Sequence, residues 1–205
     1  MTFRGIDISH WNGNIDFSKV AQSQNFVIIK AGGSDKGFYK DKRFEEYYSQ
    51  AKENGINVGA YYYVGSKCIS YNDGVADAER FLNIVKGKQF EYPLYIDLES
   101  TDPKDKAGAT EACIGFCRTL ESHGYFAGIY ASDLSGFMDR LNADLLTPFS
   151  KWVARYGNTV QYMKNHAIWQ FSSKGAVDGI KGNVDLDVSY LNFPDIMKKK
   201  HLNGF

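Results

Sequence analysis

Residues 26–64 read FVIIKAGGSDKGFYKDKRFEEYYSQAKENGINVGAYYYV, and this stretch decides the fold class. Phe26–Lys30 is a short, continuous apolar run with β-branched residues at its centre, as expected of a strand buried on both faces. A glycine-rich loop is predicted over Gly32–Gly37. From Asp41 to Asn54 the apolar residues Phe44, Tyr47, Tyr48 and Ala51 recur at the i, i+3, i+4, i+7 spacing of a helix, and Gly55 supplies the stop. Asn57–Val64 is again a strand. Strand, loop, helix and strand in that order form a βα unit, which belongs in a parallel sheet.

The same alternation runs outward in both directions. Upstream, Phe3–Ile8 reads as the first strand, followed by the turn Asn12-Gly13-Asn14 and a short helix from about Asp16. Downstream, a helix over Asp73–Lys86 buries Val75, Ala78, Phe81, Leu82 and Val85, and Pro93 opens a strand over Leu94–Leu98. The next helix carries Ala109, Ala112, Cys113, Phe116, Cys117 and Leu120 on one face, ahead of a strand at Phe126–Tyr130 and a helix near Ser132–Leu141. Lys151–Arg155, Ala167–Phe171 and Val184–Val188 then read as three strands without a helical stripe between them. Eight strands with five helices describe an α/β fold, a shortened (β/α) barrel. A full barrel takes about 250 residues, and this chain has 205. The barrel is assigned to residues 1–191, and the polar stretch 192–205, with Lys198-Lys199-Lys200, to a C-terminal tail or the start of a linker.

Composition narrows the functional classes. Lysine plus arginine (24) balances aspartate plus glutamate (24), so no electrostatic footprint points to nucleic acid or to an anionic membrane. No apolar run approaches the roughly 18 residues of a membrane span. Met1–Ile8 lacks the basic start and apolar stretch of a signal peptide, so the chain is expected to be either a cytoplasmic product or the mature part of a longer precursor. Cys68, Cys113 and Cys117 make no even disulfide framework; Cys113 and Cys117, one helical turn apart, read as core thiols. Neither they nor His10, His123, His166 and His201 have metal-ligand spacing, and no cofactor is expected. Gly32–Gly37 lacks the Gly-Lys-Ser/Thr ending of a P-loop and the spacing of a dinucleotide fingerprint.

Barrels of this type carry their active sites at the C-terminal ends of the strands. The first strand ends in Gly5-Ile6-Asp7-Ile8-Ser9-His10-Trp11, the fourth in Tyr95-Ile96-Asp97-Leu98-Glu99, and the eighth in Asn183-Val184-Asp185-Leu186-Asp187. Three strands thus bring carboxylates to one rim, a costly arrangement in apolar strands unless the groups are paired or used. Asp97 and Glu99, two apart on a strand, should face the barrel mouth together while Ile96 and Leu98 pack outward. Like charges in one cleft keep one carboxyl protonated, and an acid beside a carboxylate is what glycosidic cleavage requires. The plainer alternative is a pair of strand-end acids that cap the next helix or bind a cation. Tyr61 and Tyr63 should share one face and Tyr62 the other. Trp152, Tyr156 and Gln170 lie near strand ends, where rings line a sugar subsite or fill the core. His10, close to Asp7, either orients a carboxylate or is an ordinary loop histidine.

Taken together and in order, these residues resemble the family-25 glycoside hydrolases, the Chalaropsis-type lysozymes of bacteria, fungi and phage endolysins. The likeness runs from Gly5-Ile6-Asp7-Ile8-Ser9 through Lys30-Ala31, Gly59-Ala60-Tyr61, Tyr95-Ile96-Asp97-Leu98-Glu99, Gly128-Ile129-Tyr130, Trp152-Val153-Ala154 and Ile168-Trp169-Gln170 to Val184-Asp185-Leu186. The resemblance implies a TIM-like (β/α)5(β)3 barrel and hydrolysis of the β-1,4 bond between N-acetylmuramic acid and N-acetylglucosamine in bacterial peptidoglycan. It implies Glu99 as general acid, with Asp7, Asp97 and Asp185 completing the catalytic set. Tyr61 resembles a substrate-contacting tyrosine of the family. Lys30, Tyr63, Tyr130, Trp152 and Gln170 join it as candidate substrate contacts. Tyr62 departs from the family pattern, where histidine is frequent, and so does the Gly32–Gly37 segment; Asp187 falls at a position often Asn and is given a supporting role at most. A C-terminal wall-binding module, common in endolysins, is not visible in the chain. The competing functions are a glycosidase for another N-acetylhexosamine polymer such as chitin, and a non-catalytic glycan-binding barrel.

Overall fold

Strands that are apolar on both faces need cover on both, and here they find it by closing into a ring wrapped in helices. The computed structural model describes residues 2–205. Its strands are β1 (Phe3–Ile8), β2 (Phe26–Gly33), β3 (Tyr39–Lys40), β4 (Asn57–Tyr63), β5 (Leu94–Asp97), β6 (Ala127–Ser132), β7 (Ser150–Ala154), β8 (Ile168–Gly175) and β9 (Val184–Ser189). The ring runs β1-β2-β4-β5-β6-β7-β8-β9 and closes again on β1, with the two-residue β3 hanging from the end of β2. It is the shortened TIM-like barrel expected from the sequence.

One strand runs the other way. All barrel pairings are parallel except those of β9, which is antiparallel to both β8 and β1. The sequence reading had the eighth strand ending at the rim with its acids; instead β9 begins there. The connection from Gly175 to Val184 is shorter than the dozen or so residues that a parallel crossover needs, so β9 returns antiparallel. Asp185 therefore reaches the rim from the start of its strand, opposite Asp7, while Asp187 lies one step deeper, opposite Gly5 and Gln170.

The helices are α1 (Phe17–Val20), α2 (Phe44–Glu53), α3 (Tyr71–Val85), α4 (Lys106–Ser122) and α5 (Phe193–Lys200). The core has two shells. Outward-facing strand residues, among them Val27, Ile29, Tyr62, Ile96 and Leu98, pack beneath the helices with Phe81, Cys113, Phe116 and Cys117. Inward-facing residues Phe26, Ile28, Tyr95, Trp152 and Ile168 fill the barrel, and Phe193 and Met197 of α5 join them. Residues 192–205, expected as a tail or linker, are thus part of the folded body. Asn203 is fully buried: its side chain accepts from the Phe126 N–H at 2.7 Å and donates to the Tyr92 carbonyl at 2.9 Å. Polar composition concealed this because two apolar anchors and one buried amide suffice to seat so short a helix.

Three local expectations change. Gly32 and Gly33 belong to β2, not to a loop; a Cβ on Gly32 would stand 2.3 Å from the Tyr39 carbonyl oxygen, where β3 folds back. Helix α2 starts later than Asp41, whose carboxylate is spent on the preceding turn, accepting from the N–H of Arg43 and from His10. The helix expected near Ser132–Leu141 is a single wide turn, Asp133–Met138. Its buried Asp133 accepts from the N–H groups of Gln161, Tyr162 and Met163, tying the turn to a distant loop.

Helices α3 and α4 approach until backbone meets backbone, because glycines line the seam: a Cβ on Gly74 would lie 1.9 Å from the Ala112 carbonyl oxygen. Gly74→Ala is expected to destabilise the fold by about 3 kcal/mol through overpacking, although alanine is the better helix former. Urea unfolding measures this, and a midpoint at or above wild type would show that the helices separate without cost.

Candidate active site

Alternation along the strands sends every second side chain into the barrel, and at the C-terminal end of the parallel strands those side chains meet. Asp7, Tyr61, Asp97, Glu99, Tyr130, Trp152, Tyr156, Gln170 and Asp185 line one cavity of about 210 Å³ there. A neighbouring hollow of about 610 Å³ shares Glu99, Tyr130 and Tyr156 and continues past Arg155, Ser132 and Asp133. Together they make a groove with a deep acidic centre.

The two acids of the fourth parallel strand differ in setting. Asp97 ends β5 and is buried, whereas Glu99 lies just beyond the strand and is exposed. Burial is the main reason that the Asp97 carboxyl is raised well above the ordinary carboxylate range. The charge of Glu99 and a hydrogen bond between the two groups add to the rise, and Lys30 opposes it. Asp97 Oδ1 has no partner among the described residues.

Opposite them sits a second acidic group. Gln170 Nε2 donates to Asp7 Oδ2 at 2.7 Å, and its Oε1 accepts from the Tyr130 hydroxyl at 2.9 Å and the Tyr156 hydroxyl at 3.3 Å. Trp152 Nε1 donates to Asp187 Oδ1 at 2.7 Å. Burial, then the charges of Asp187 and Asp185, hold Asp7 well above its usual range, against the Gln170 hydrogen bond. Burial also pushes Asp187 up to about 7, despite its bonds from Trp152 and Asp7. Asp185 is raised by burial and by Glu99. Tyr61, raised by burial and these carboxylates, stays a neutral phenol.

Not every candidate joins the lining. Lys30 and Tyr63 stand to one side: the Lys30 ammonium lies 4.4 Å from the Tyr63 ring centre, and the Tyr63 hydroxyl hydrogen-bonds Ser100 at 2.7 Å. His10 turns away from Asp7 and pairs with Asp41 at 2.6 Å. Asp187, given a supporting role at most, shares the face of Asp185 through the alternation Val184-Asp185-Leu186-Asp187 and is buried beneath it. Arg155 and Asp133 carry no motif and were missed. Among the described residues no group of His, Cys, Asp or Glu is arranged to hold a metal ion, and no helix is long and apolar enough to cross a membrane.

This constellation can be compared with known proteins. The family model for glycosyl hydrolases family 25 matches residues 6–180. The chain belongs to that family. It is 29% identical over 186 residues to the autolytic lysozyme of Clostridium acetobutylicum, covering 90% of this chain and 55% of that protein. With lysozyme M1 of Streptomyces globisporus it shares 28% identity over 89% of this chain and 66% of the relative. The chain thus spans little more than half the length of the first of these and about two thirds of the second. Among solved structures, the CTP1L endolysin superposes with a TM-score of 0.82 at 26% identity, covering 96% of this chain and 70% of that one. The family-25 barrel is therefore shared in sequence and in shape.

The raised carboxyls make stability depend on pH. Around neutrality the native state keeps protons on Asp97 and within the Asp7–Asp187 pair that the unfolded chain has released, so stability falls as pH rises. The fall should begin near the ordinary carboxylate value of about 4 and continue through the Asp187 value of about 7. Thermal melts from acid to mildly alkaline pH should show it, with a shallower slope in Asp97→Asn. Equal slopes in the two proteins would contradict it.

Proposed function

We propose that this family-25 barrel is an N-acetylmuramidase, a lysozyme that hydrolyses the β-1,4 bond between N-acetylmuramic acid and N-acetylglucosamine in bacterial peptidoglycan. The observation that carries this is the division of the Asp97–Glu99 pair: one carboxyl is buried in the wall of the cavity, and its neighbour stands at the open mouth of the groove. Membership of family 25 and the relatives named as lysozymes support the same reading.

In this mechanism Glu99 protonates the leaving glycosidic oxygen. Its exposure puts it where a polymer lying in the groove can reach it, and the neighbouring hollow, which it also lines, receives the sugars beyond the scissile bond. Asp97 acts from beneath. Its carboxyl lines the cavity and would accept from the N–H of the substrate's 2-acetamido group, whose carbonyl oxygen then attacks the anomeric carbon. As Asp97 takes that N–H in its ionised form, the proton held between the two acids resides on Glu99, ready for the leaving group. Glu99 later removes a proton from the incoming water. Asp7 and Asp185 supply negative potential to the oxocarbenium-like transition state from the opposite wall. Tyr61 and Tyr130 line the cavity as sugar contacts, Trp152 and Gln170 form its buried floor, and Lys30 and Tyr63 flank it.

Glu99→Gln keeps the shape of the side chain and cannot donate a proton, so it should fold normally and lose at least about 10²-fold in rate. The measurement is digestion of purified peptidoglycan with mass spectrometry of the fragments. Muropeptides with N-acetylmuramic acid at the reducing end, lost in the variant, are the expected result. Reducing-end N-acetylglucosamine would make the protein a glucosaminidase. Cleavage of chitin alone would transfer it to another N-acetylhexosamine polymer, and binding without cleavage would leave a glycan-binding barrel.

A further inference from the structure

Asp187 is 1% exposed, carries no motif and does not line the cavity, yet it sits at the heart of the acidic wall. Its Oδ1 accepts from Trp152 Nε1 at 2.7 Å, while its Oδ2 has no conventional partner among the described residues. A buried carboxylate oxygen left without a donor is costly. In the β1–β9 ladder Asp7 faces Asp185 and Gly5 faces Asp187, so Asp7 and Asp187 are diagonal neighbours on the inner face, where Gly5 makes way for the Phe26 ring. Their carboxyls lie within hydrogen-bonding reach of each other. Two carboxylates meeting in this way have no donor between them; a carboxylic acid and a carboxylate do.

We propose that Asp187 is a positioning residue that shares a single proton with Asp7, fixing the Asp7 carboxyl in the catalytic wall. The shared proton gives Asp187 Oδ2 its missing donor. It holds the buried pair at one negative charge instead of two. With Gln170 gripping the other side of Asp7, that carboxyl is clamped between two hydrogen bonds.

The surrounding groups leave this proton little alternative. From β9, Asp185 faces the pair as a further carboxyl. Half-buried Tyr61 on β4 and buried Tyr95 on β5 and Tyr130 on β6 are phenols raised above their ordinary value, and so stay neutral wherever carboxyls titrate. Across the cavity stand Asp97 and Glu99, and Lys30 is the cation acting on that side, where it opposes the rise of Asp97. No arginine or lysine forms an ion pair with Asp7 or Asp187 among the described residues. The directions for both acids agree: burial raises each, the charge of Asp185 adds to both, and that of Asp187 adds to Asp7.

The inference about Asp7's place in catalysis rests on the muramidase reading; the shared proton does not, and the test separates them. Carboxyl-carbon NMR of aspartate-labelled protein should show Asp7 and Asp187 titrating as one coupled pair, with the second step far above the ordinary value of about 4. In Asp187→Asn the amide donates permanently to Asp7 while its oxygen still accepts from Trp152, so the upper step should vanish and Asp7 should titrate lower. Independent single steps, or an Asp7 curve unmoved by Asp187→Asn, would overturn the shared proton. On peptidoglycan, Asp187→Ala should lower kcat about tenfold with KM changed less than about threefold, and Asp187→Asn should restore most of the loss. Equal loss in both folded variants would overturn the positioning role. A wild-type protein that releases no fragments while the two acids titrate as a pair would sink the muramidase reading and uphold the shared proton.

Discussion

Four carboxyl groups, Asp7, Asp97, Glu99 and Asp185, meet at the mouth of a barrel whose interior is otherwise aromatic and aliphatic, and a fifth, Asp187, is buried beneath them. They cannot all be ionised at once, because an apolar wall cannot solvate so much charge of one sign. The rest of the site follows from this constraint. Protons must be retained, and the hydrogen-bond donors available, Trp152 and Gln170, are used to decide which acids keep them. Asp97 and Asp7 are pushed upward most strongly by burial, while Glu99 stands in the open. A site that holds protons in its depth and presents an acid at its opening suits the cleavage of an acetal.

Closure of the barrel makes the constraint possible. Were β9 parallel, its start would lie at the bottom and Asp185 would face the aromatic core. The missing crossover before β9 turns it round, and the reversal sets Asp185 opposite Asp7 at the rim and Asp187 beneath it. The same lack of a helix leaves that side of the barrel bare. The opposite end is closed economically by Phe193 and Met197 of α5 and by the buried Asn203. Rigidity at that end supports precision at the other, since the inward side chains form one packed column from α5 to the acids.

Much of this was legible in the sequence. The strands could be found from apolar runs, because burial on both faces leaves no room for polar alternation. Helices α2, α3 and α4 were legible from periodicity, since each buries one stripe. The i, i+2 spacing of Asp97 and Glu99 and the outward packing of Ile96 and Leu98 were also legible, because both depend only on the two-residue repeat of a strand. The wide turn at Asp133–Met138 was not, because its acid is used by N–H groups nearly thirty positions away. For the same reason the partner of His10 was not legible; of the two readings open to it, the fold makes it a loop histidine bonded to Asp41.

By itself, then, the sequence determined the fold class, the ring of strands and the identity of the acidic pair, since these rest on local periodicity and on chemistry carried within one strand. Only the tertiary structure decided the direction of β9, the hydrogen bond from Gln170 to Asp7, the burial of Asp187 and the seating of residues 192–205. Each of those depends on which strand lies beside which and on how far water is excluded between them. Such facts belong to pairs of distant segments, and no window along the chain contains both members of the pair.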